Sequence, residues 1–466
     1  MLLRCIVSCT ALFLCTSINA QVRVEFPLRA DVKQIHGIRL SPDGDYIAVR
    51  FIDRRERWSL QINDMVLGPY DASWNEEYDG SVSLPVFGTD ASAAQYMFWF
   101  RDEYFFYVQE GKTRHGPFDR VRELSSCVRG TDFQFSYLLN RMWYFQQGGK
   151  RSGPYPAQRK PVAVCEKQLP LRSIVSNEQW YVMHSGVELG PFERVAGLNA
   201  ASSGVALWGR RNNQWSIVTH NAEYGPFDVA ENWDSLAEIC LPVVSANPHT
   251  TAFRYKSSNG GWYVGVNDKQ FGPFYSEASD VFAAVGQPVL IGGDAAFWFS
   301  LDGLWYVQLP SGVRGPYQRP GGTELLSGTG GSYAYTYEAA EGSFTAIGEA
   351  ISGPYDAVLD MGYANGLWWY VYVSSRGQWL QIEEKSYGPF DSVAAPVFCF
   401  ETSRYVFRHS EGEFFRVTTD SGASFGPYVA AEPVLDSSGR LIIGYVDAEK
   451  LHAGILRLDA YGYIRR

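Results

Sequence analysis

The sequence predicts an all-β fold in which the four-stranded blades of a β-propeller recur along almost the whole chain. A Gly-Pro-aromatic triplet occurs ten times, at intervals of 35 to 48 residues. A Trp lies ten residues before the glycine in six of these copies, and short aromatic and β-branched runs fill the intervals. Periods of this length indicate a solenoid, a propeller or another repeat array.

The triplet glycine and the preceding tryptophan set the register of the repeat. The glycines are Gly68, Gly116, Gly153, Gly190, Gly225, Gly272, Gly315, Gly353, Gly388 and Gly426. The tryptophans are Trp58, Trp143, Trp180, Trp215, Trp262 and Trp305. Phe106 takes the tryptophan position in another copy, Trp379 lies nine residues before its glycine, and Gly462 begins an eleventh copy without proline. We predict that these residues are structural, because a residue that recurs in every blade serves the blade.

The tryptophan and the triplet belong to the two arms of a hairpin, as in WYVMHSGVELGPFERV at residues 180–195. The WYV run and its relatives are aromatic and β-branched, as strands prefer, and are too short for helices. Proline cannot donate to a β-ladder, so its place is at a strand start or on an edge. The glycine is predicted to supply a special backbone angle at a β-bulge.

A second pair of apolar runs precedes the hairpin and completes the blade. It is clearest in IRLSPDGDYIAVRF at residues 38–51 and in PVLDSSGRLIIGYV at residues 433–446. Two strands joined by a Ser-Pro-Asp-Gly turn, followed by the tryptophan hairpin, make a four-stranded antiparallel meander. About 40 residues in four strands is the size of one propeller blade.

Ten or eleven blades exceed the four to eight that propellers usually contain. Two packed propellers are therefore favoured over one large ring, with N-terminal repeats in residues 21–240 and C-terminal repeats in residues 241–466. A single ring stays open as the alternative, because the composition does not change near residue 240. The three longest intervals place loops near residues 72–92, 231–250 and 276–296.

Residues 1–20 have the pattern of a secretory signal peptide. Arg4 supplies the positive charge, an apolar stretch follows from Ile6 to Cys15, and Ala20 ends a small-residue cleavage site. No stretch reaches the 18 uncharged apolar residues expected of a membrane-spanning helix. The sequence therefore predicts export to the periplasm or the cell exterior, without a membrane span.

The composition excludes one class of partner. The net charge is −10 at pH 7, and no basic run or patch is present in the sequence. Nucleic-acid binding needs a positive surface to neutralise phosphates, so this class is rejected. High aromatic content, at 15% of residues, indicates large buried sheet surfaces rather than disorder.

Four cysteines follow the predicted signal peptide: Cys127, Cys165, Cys240 and Cys399. In an exported protein an even number permits two disulfides, with three pairings open. Cys127 and Cys165 occupy nearly the same position in adjacent repeats and are the first candidate pair. The alternative is that the cysteines are small buried apolar residues on inner strands. None has the spacing of a zinc ligand.

Acidic residues follow several triplets, at Asp71, Asp119, Asp228, Asp356 and Asp391. A row of carboxylates could hold calcium, but no Asp-x-Asp-x-Asp-Gly loop is present. Their recurrence favours a structural role in turns, through hydrogen bonds to the backbone. No cofactor-binding, metal-binding or catalytic residue is predicted.

The chain resembles the TolB-like and WD40-like propeller repeats of exported bacterial proteins, on the residues Ser41-Pro42-Asp43-Gly44 and the strands that flank them. The same region is similar to the propeller of prolyl-oligopeptidase-type peptidases, and the tryptophan hairpin has a weaker similarity to WG-type β repeats. The single Gly-x-Ser-x-Gly match, at residues 422–426, overlaps the repeat triplet at Gly426 and is not in the strand–turn–helix setting of the peptidases' hydrolase domain. The resemblance therefore implies architecture and a binding role, and does not imply peptidase activity.

The function predicted from these observations is that of a non-enzymatic scaffold, which binds a protein or peptide through loops and a central funnel. A glycan-active hydrolase or lyase is the alternative, and it would need two carboxylates roughly 5–10 Å apart from non-equivalent loops. A third alternative is carbohydrate binding without catalysis. It would need exposed aromatic residues outside the repeat, for which Trp74, Trp233 and Trp368 are the candidates.

Overall fold

The computed structural model describes most of the chain after the predicted signal peptide. The described residues are 22–29, 31–70, 81–88, 96–126, 133–147, 150–156, 163–166, 169–176, 179–184, 187–201, 204–237, 239–245, 250–275, 284–321, 325–399, 401–435, 439–447 and 452–458. Their strands form eleven antiparallel sheets with four strand positions each. This confirms the predicted all-β propeller fold. The predicted signal peptide and the copy at Gly462 lie outside the described residues.

Ten sheets follow one another along the chain, and each is a meander of four strand positions. Sheet 1 contains Val32–Leu40, Ile47–Asp53, Trp58–Ile62 and Met65–Tyr70; sheet 2, Val86–Phe87, Tyr96–Asp102, Phe105–Glu110 and Thr113–Phe118; sheet 3, Arg120–Ser126, Phe133–Leu139, Met142–Gln147 and Lys150–Pro156; sheet 4, Ala163–Glu166, Leu169–Ser176, Gln179–His184 and Val187–Phe192; and sheet 5, Arg194–Ala201, Gly204–Arg211, Gln214–Thr219 and Glu223–Phe227. Sheet 6 contains Val243–Val244, Thr251–Lys256, Trp262–Val266 and Lys269–Phe274; sheet 7, Val289–Ile291, Asp294–Leu301, Leu304–Leu309 and Gly312–Tyr317; and sheet 9, Ala357–Ala364, Leu367–Ser374, Gly377–Ile382 and Lys385–Phe390.

In sheets 8 and 10 the first strand is divided into two short segments. Sheet 8 contains Arg319–Pro320 with Leu326–Ser327, then Tyr333–Ala339, Gly342–Ile347 and Ala350–Tyr355; sheet 10 contains Ser392–Val393 with Val397–Phe398, then Tyr405–Glu411, Phe414–Thr419 and Ser424–Tyr428. Sheet 11 contains Ala430–Leu435, Leu441–Asp447, His452–Leu458 and the N-terminal strand Val22–Pro27. A one-turn α-helix, Trp233–Leu236, and a short 3-10 turn, Thr329–Gly331, complete the described elements.

The Gly-Pro-aromatic triplet forms a β-bulge in the fourth strand, as the sequence predicts. In sheet 1, Trp58 pairs with Tyr70 and Leu60 with Leu67, so Gly68 and the following proline together oppose a single residue. Gly68 has a φ of 103°, where a side chain is strained, and a Cβ there would lie 3.1 Å from the carbonyl oxygen of Trp58. Both the backbone angle and the close approach therefore require glycine.

The repeat tryptophan and the triplet aromatic are cross-strand partners, and the aromatic also packs against the next sheet. Phe118 stacks on Tyr137 of sheet 3 with ring centroids 4.1 Å apart, and Tyr317 packs on Tyr337 of sheet 8 at 4.2 Å. Such contacts connect neighbouring sheets through aromatic pairs. In sheet 9 the partner of the triplet Phe390 is Gln378, so Trp379 lies outside this register and stacks on Tyr372.

The sheets pack in chain order, and the last returns to the first. The first strands of neighbouring sheets contact one another, as between sheets 5 and 6 and between sheets 6 and 7, which places these strands on the inner side of the array. Strands of sheet 11 contact both the first and second strands of sheet 1. The N-terminal strand supplies the fourth position of sheet 11. The predicted division into two propellers is not confirmed, because the closing contacts join the first sheet to the eleventh.

The core crosses the position where the boundary between repeat halves is predicted. One cluster of buried residues runs from Trp208 in sheet 5, through Trp233 and Cys240, to Phe253 in sheet 6 and Phe297 in sheet 7. The rings of Trp208 and Trp233 meet edge to face at 5.0 Å. A boundary at residues 240 and 241 would pass through this cluster. The division into N-terminal and C-terminal repeats at residues 240 and 241 stays a prediction.

The turn between the second and third strands of sheet 1 is organised around one buried carboxylate. Asp53 accepts hydrogen bonds from the backbone N–H groups of Arg55 and Arg57, at 2.8 and 3.0 Å. The guanidinium of Arg57 donates two more, at 3.1 and 2.8 Å. Burial opposes ionisation of Asp53, but these four bonds outweigh it and hold the pKa of the carboxyl below its ordinary value.

We expect Asp53→Asn to lower the free energy of unfolding by about 1–3 kcal/mol at neutral pH, because the charge-assisted bonds to Arg57 are lost. A depressed pKa in the folded state stabilises the protein above the ordinary aspartate range, and this contribution is lost as the pH falls. The difference in the free energy of unfolding between Asp53→Asn and the wild type should therefore become smaller below about pH 4, as measured by denaturant unfolding. Asp102→Asn, which removes an exposed ion pair with Arg114, is the control. Equal effects of both substitutions would contradict the assigned role.

Candidate functional site

One position of the second strand recurs as a donor that reaches the next sheet. Arg50, Arg254 and Arg408 each pair with the residue two places after the repeat tryptophan position of their own sheet. The three guanidinium groups lie over the aromatic rings of Trp58, Trp262 and Phe415, with 5.2, 5.9 and 4.9 Å to the ring centroids. The ring face attracts and orients the cation.

Each of these side chains donates a hydrogen bond to a main-chain carbonyl at the start of the following sheet. The bonds run from Arg50 Nη1 to Val82 O at 3.4 Å, from Arg254 Nη1 to Val285 O at 2.8 Å, and from Arg408 Nη1 to Ala431 O at 3.0 Å. Trp208 occupies the same position in sheet 5, and its Nε1 donates to Cys240 O at 2.7 Å. In these four sheets, the residue at this position therefore binds a main-chain carbonyl.

The accepting carbonyls come before a Pro-Val pair, a sequence signal that the repeat analysis missed. The pairs begin at Pro85, Pro161, Pro242, Pro288, Pro396 and Pro433. The acceptor lies two or three residues before the proline in each case described above. The residue directly before the proline is Leu84, Lys160, Leu241, Gln287, Ala395 and Glu432 in chain order. Glu432 is the only acidic residue among these six.

A cavity of about 500 Å³ opens where sheets 10, 11 and 1 meet. We call it the junction cavity. Its lining comprises Ile35, His36, Gly37, Ile38, Ala394, Ala395, Val397, Arg408, Phe415, Val429, Ala430, Ala431, Glu432 and Pro433. Most of these residues lie in or beside the first strands of the three sheets. The cavity therefore lies on the inner side of the array, at the junction that closes it.

Glu432 provides the carboxylate of the junction cavity. Its Oε2 accepts the Leu40 backbone N–H at 2.8 Å, which connects sheet 11 to sheet 1. Burial raises the pKa of the Glu432 carboxyl above its ordinary value, while the Leu40 N–H and the positive charges of Arg39 and Arg408 oppose that shift. The carboxylate is thus held in a partly desolvated position by a main-chain donor.

Arg408 differs from its counterparts in its surroundings. Arg50 and Arg254 are buried, with exposed fractions of 8% and 1%, whereas Arg408 is part-exposed and lines the cavity. Glu432 is likewise unlike its counterparts, because it is the only carboxylate among the residues directly before the six Pro-Val pairs. The junction cavity is therefore an asymmetric feature in a repetitive molecule. Binding sites are expected at such departures from the repeat.

The chemistry available in the junction cavity is that of a hydrogen-bonding site with apolar walls. Its lining contains one guanidinium, one carboxylate and the imidazole of His36, and the guanidinium and carboxylate form no direct ion pair within the described residues. The hydrolase alternative requires two carboxylates, and the lining supplies one. Within the described residues, no group of three or more histidine, cysteine or acidic side chains could hold a metal ion.

The structure places the repeat residues in the packing between strands and sheets. Trp58, Trp143, Trp215 and Trp262 are buried, and Trp180 and Trp305 are part-buried. The acid after a triplet binds the main chain of the next sheet's hairpin: Asp391 accepts the Gly412 N–H at 2.6 Å. The hydrogen bond to the backbone that the sequence predicts for this aspartate is therefore formed, but its donor belongs to the next sheet and not to the aspartate's own turn.

The candidate disulfide between Cys127 and Cys165 stays a prediction. Cys127 lies outside the described residues, and Cys165 lies in the first strand of sheet 4, paired with Pro170. Cys240 and Cys399 are buried side chains, which is the alternative role given above for cysteines. Burial raises the pKa of the Cys240 thiol, so this group is not activated as a nucleophile.

The aromatic candidates for carbohydrate binding are not exposed where the structure describes them. Trp233 is buried in the cluster between sheets 5, 6 and 7, and Trp368 is buried against Tyr363, with ring centroids 4.7 Å apart. The expectation that these two residues are exposed is wrong, because loop and strand ends fold their aromatic rings into the core. Trp74 lies outside the described residues.

No family model and no curated protein matches the sequence. Similar solved structures include the WD40 domain of SCAP from fission yeast, at 8% identity over 96% of both chains with a TM-score of 0.31. The β-propeller domain of the Trilobed protease from Pyrococcus furiosus is similar at 11% identity, over 70% of this chain and 96% of that one, with a TM-score of 0.26.

The Dos1 propeller is similar at 9% identity, over 70% of this chain and 94% of that one, with a TM-score of 0.31. At these identities and TM-scores, the likenesses carry no argument about function. None of the helices in the described part of the chain is long and apolar enough to cross a membrane.

Proposed function

We propose that this protein is an exported, non-enzymatic β-propeller scaffold that binds a protein or peptide partner. The junction cavity supports the proposal: it opens on the inner side of the array, where the first strands of three sheets meet. Its volume falls in the range of roughly 300–1,000 Å³ that is typical of ligand sites. The export part rests on the signal-peptide pattern of residues 1–20.

The composition of the cavity favours a peptide over a glycan or an enzyme substrate. Ile35, Ile38 and Val397 provide apolar walls, and Phe415 lies beneath the Arg408 guanidinium rather than standing free as a sugar platform. One carboxylate without a second carboxylate partner is poorly suited to glycoside hydrolysis. A largely apolar pocket with a few fixed polar groups suits a peptide segment.

Filling the junction cavity is expected to weaken partner binding without unfolding the protein. Ala395 is exposed at the cavity wall, so Ala395→Trp adds bulk there without entering the core. Ala423→Trp is the matched control. Ala423 is exposed in the turn between the third and fourth strands of sheet 10, and it does not line the cavity. We expect Ala395→Trp to weaken binding by about tenfold or more, and the control to retain it.

The measurement is cross-linking of purified protein to exported cell fractions, followed by mass spectrometry of the attached peptides. Partners that cross-link next to the cavity in wild type and in Ala423→Trp, and are lost in Ala395→Trp, support the proposal. Partners retained equally by both variants would place binding elsewhere. Release of reducing ends from glycans by the wild-type protein would contradict the non-enzymatic part.

A further inference from the structure

We infer that the junction cavity recognises the main chain of an extended peptide with small, uncharged side chains. This inference rests on the proposed function and specifies its ligand. It follows from three properties of the cavity: a donor whose recurring use is to bind carbonyls, an acceptor that already binds a main-chain N–H, and small residues that leave room for a backbone.

The donor is Arg408. Its counterparts in sheets 1 and 6 bind main-chain carbonyls, and its own Nη1 does the same at Ala431. A guanidinium has five N–H donors in a rigid fork, so one carbonyl does not exhaust it. Because Arg408 is part-exposed at the cavity, its remaining donors can reach a carbonyl of an incoming segment.

The acceptor is Glu432. Its Oε2 accepts the Leu40 N–H, and this bond holds the carboxylate at the cavity wall. An ionised carboxylate accepts about four hydrogen bonds, so Glu432 retains capacity for an N–H group of a ligand. An extended peptide presents alternating N–H and C=O groups, and it therefore complements a site that offers one acceptor and one donor.

The walls of the cavity admit a backbone rather than large side chains. Ala394, Ala395, Ala430 and Ala431 line it from sheets 10 and 11. A methyl group keeps the strand accessible, and first strands have one edge that is not paired within their own sheet. Strand addition at such an edge uses main-chain bonds for affinity and shallow pockets for selectivity. Apart from Arg408, Glu432 and His36, the lining offers no polar side chain to a charged group of a ligand.

The test uses a capped hexapeptide of alternating alanine and valine, labelled with a fluorophore, and its counterpart with N-methylated peptide bonds. N-methylation removes N–H donors and keeps the side chains. We expect the unmodified peptide to bind the full-length protein in fluorescence anisotropy, and the N-methylated peptide to bind about tenfold more weakly or worse.

Four variants separate the roles of the two polar groups. Arg408→Met and Glu432→Leu are each expected to weaken binding by about tenfold. Arg408→Lys keeps the charge but loses the planar fork, and should fall between Arg408→Met and wild type. Glu432→Gln retains an acceptor oxygen and should stay within about threefold of wild type. Arg376→Met, at an exposed turn of sheet 9, is the control for lost charge.

The outcomes separate this inference from the proposed function. Equal binding of the N-methylated peptide, or unchanged binding by Arg408→Met, would overturn main-chain recognition. If charged peptides bind and are displaced by Ala395→Trp while the alanine–valine peptide does not bind, the cavity is a peptide site that reads side chains, and only this inference fails. If no peptide binds and Ala395→Trp keeps all cross-linked partners, both proposals fail.

Discussion

Replacing Trp208 with alanine is expected to lower the free energy of unfolding by about 3–5 kcal/mol. The side chain is fully buried between sheets 5 and 6, and its ring meets Trp233 and Phe253 edge to face at 5.0 and 5.7 Å. The substitution would leave a large cavity, and it would also remove the Nε1 donor from Cys240 O. Denaturant unfolding followed by circular dichroism measures the loss.

Trp208→Phe separates the contribution of packing from that of hydrogen bonding at this position, and a substitution elsewhere provides the control. Trp208→Phe keeps part of the volume and loses the donor, so an intermediate loss of about 1–3 kcal/mol is expected. Trp379→Ala serves as the control, because Trp379 is only part-buried and stacks on a single ring, that of Tyr372. If Trp208→Ala and Trp379→Ala cost the same, the cluster that spans sheets 5 to 7 is not a main source of stability.

Removing the N-terminal strand, residues 22–27, is expected to open sheet 11 and destabilise the junction with sheet 1. This strand pairs along its whole length with His452–Leu458, from Val22 opposite Arg457 to Pro27 opposite His452. Phe26 also packs against the buried cluster shared by sheets 1 and 11. Without the strand, one edge of His452–Leu458 faces solvent and loses its hydrogen-bond partners.

Hydrogen exchange measures this opening directly. Amide groups in residues 452–458 are expected to exchange about 100-fold faster or more in a chain that begins at Leu28. Val24→Ala, at an exposed position of the same strand, should change the exchange little and is the control. Unchanged protection of residues 452–458 in the shortened chain would show that the N-terminal strand does not complete sheet 11 in solution.

Much of one blade follows from the sequence, because its determinants are local. A glycine that must adopt positive φ, a proline that cannot donate to a ladder and an aromatic residue opposite a tryptophan define the bulged hairpin within about 15 residues. The same hairpin then recurs at each repeat along the chain. Trp58 opposite Tyr70, with Gly68 in the bulge, is the arrangement that the spacing predicts.

The candidate site could be predicted only in part. The repetition indicates that the repeat residues are structural and not part of a binding site. It favours positions that differ between copies as site residues, and Arg408 and Glu432 are two such positions. Their importance is not visible in the sequence, however, since arginine at this position is buried in sheets 1 and 6 and part-exposed in sheet 10. The Pro-Val pairs before which the acceptors lie are a further signal that a search for the stronger tryptophan repeat overlooks.

The sequence by itself determined the blade: its four strands, its bulge, its aromatic pairing and its repetition along the chain. Only the tertiary structure decided how the blades close, because closure depends on contacts between residues that are distant in sequence. The N-terminal strand completes the last sheet, and the Glu432 carboxylate binds the Leu40 N–H across 392 positions. No local pattern encodes such a contact, and the junction cavity exists only where the two ends of the array meet.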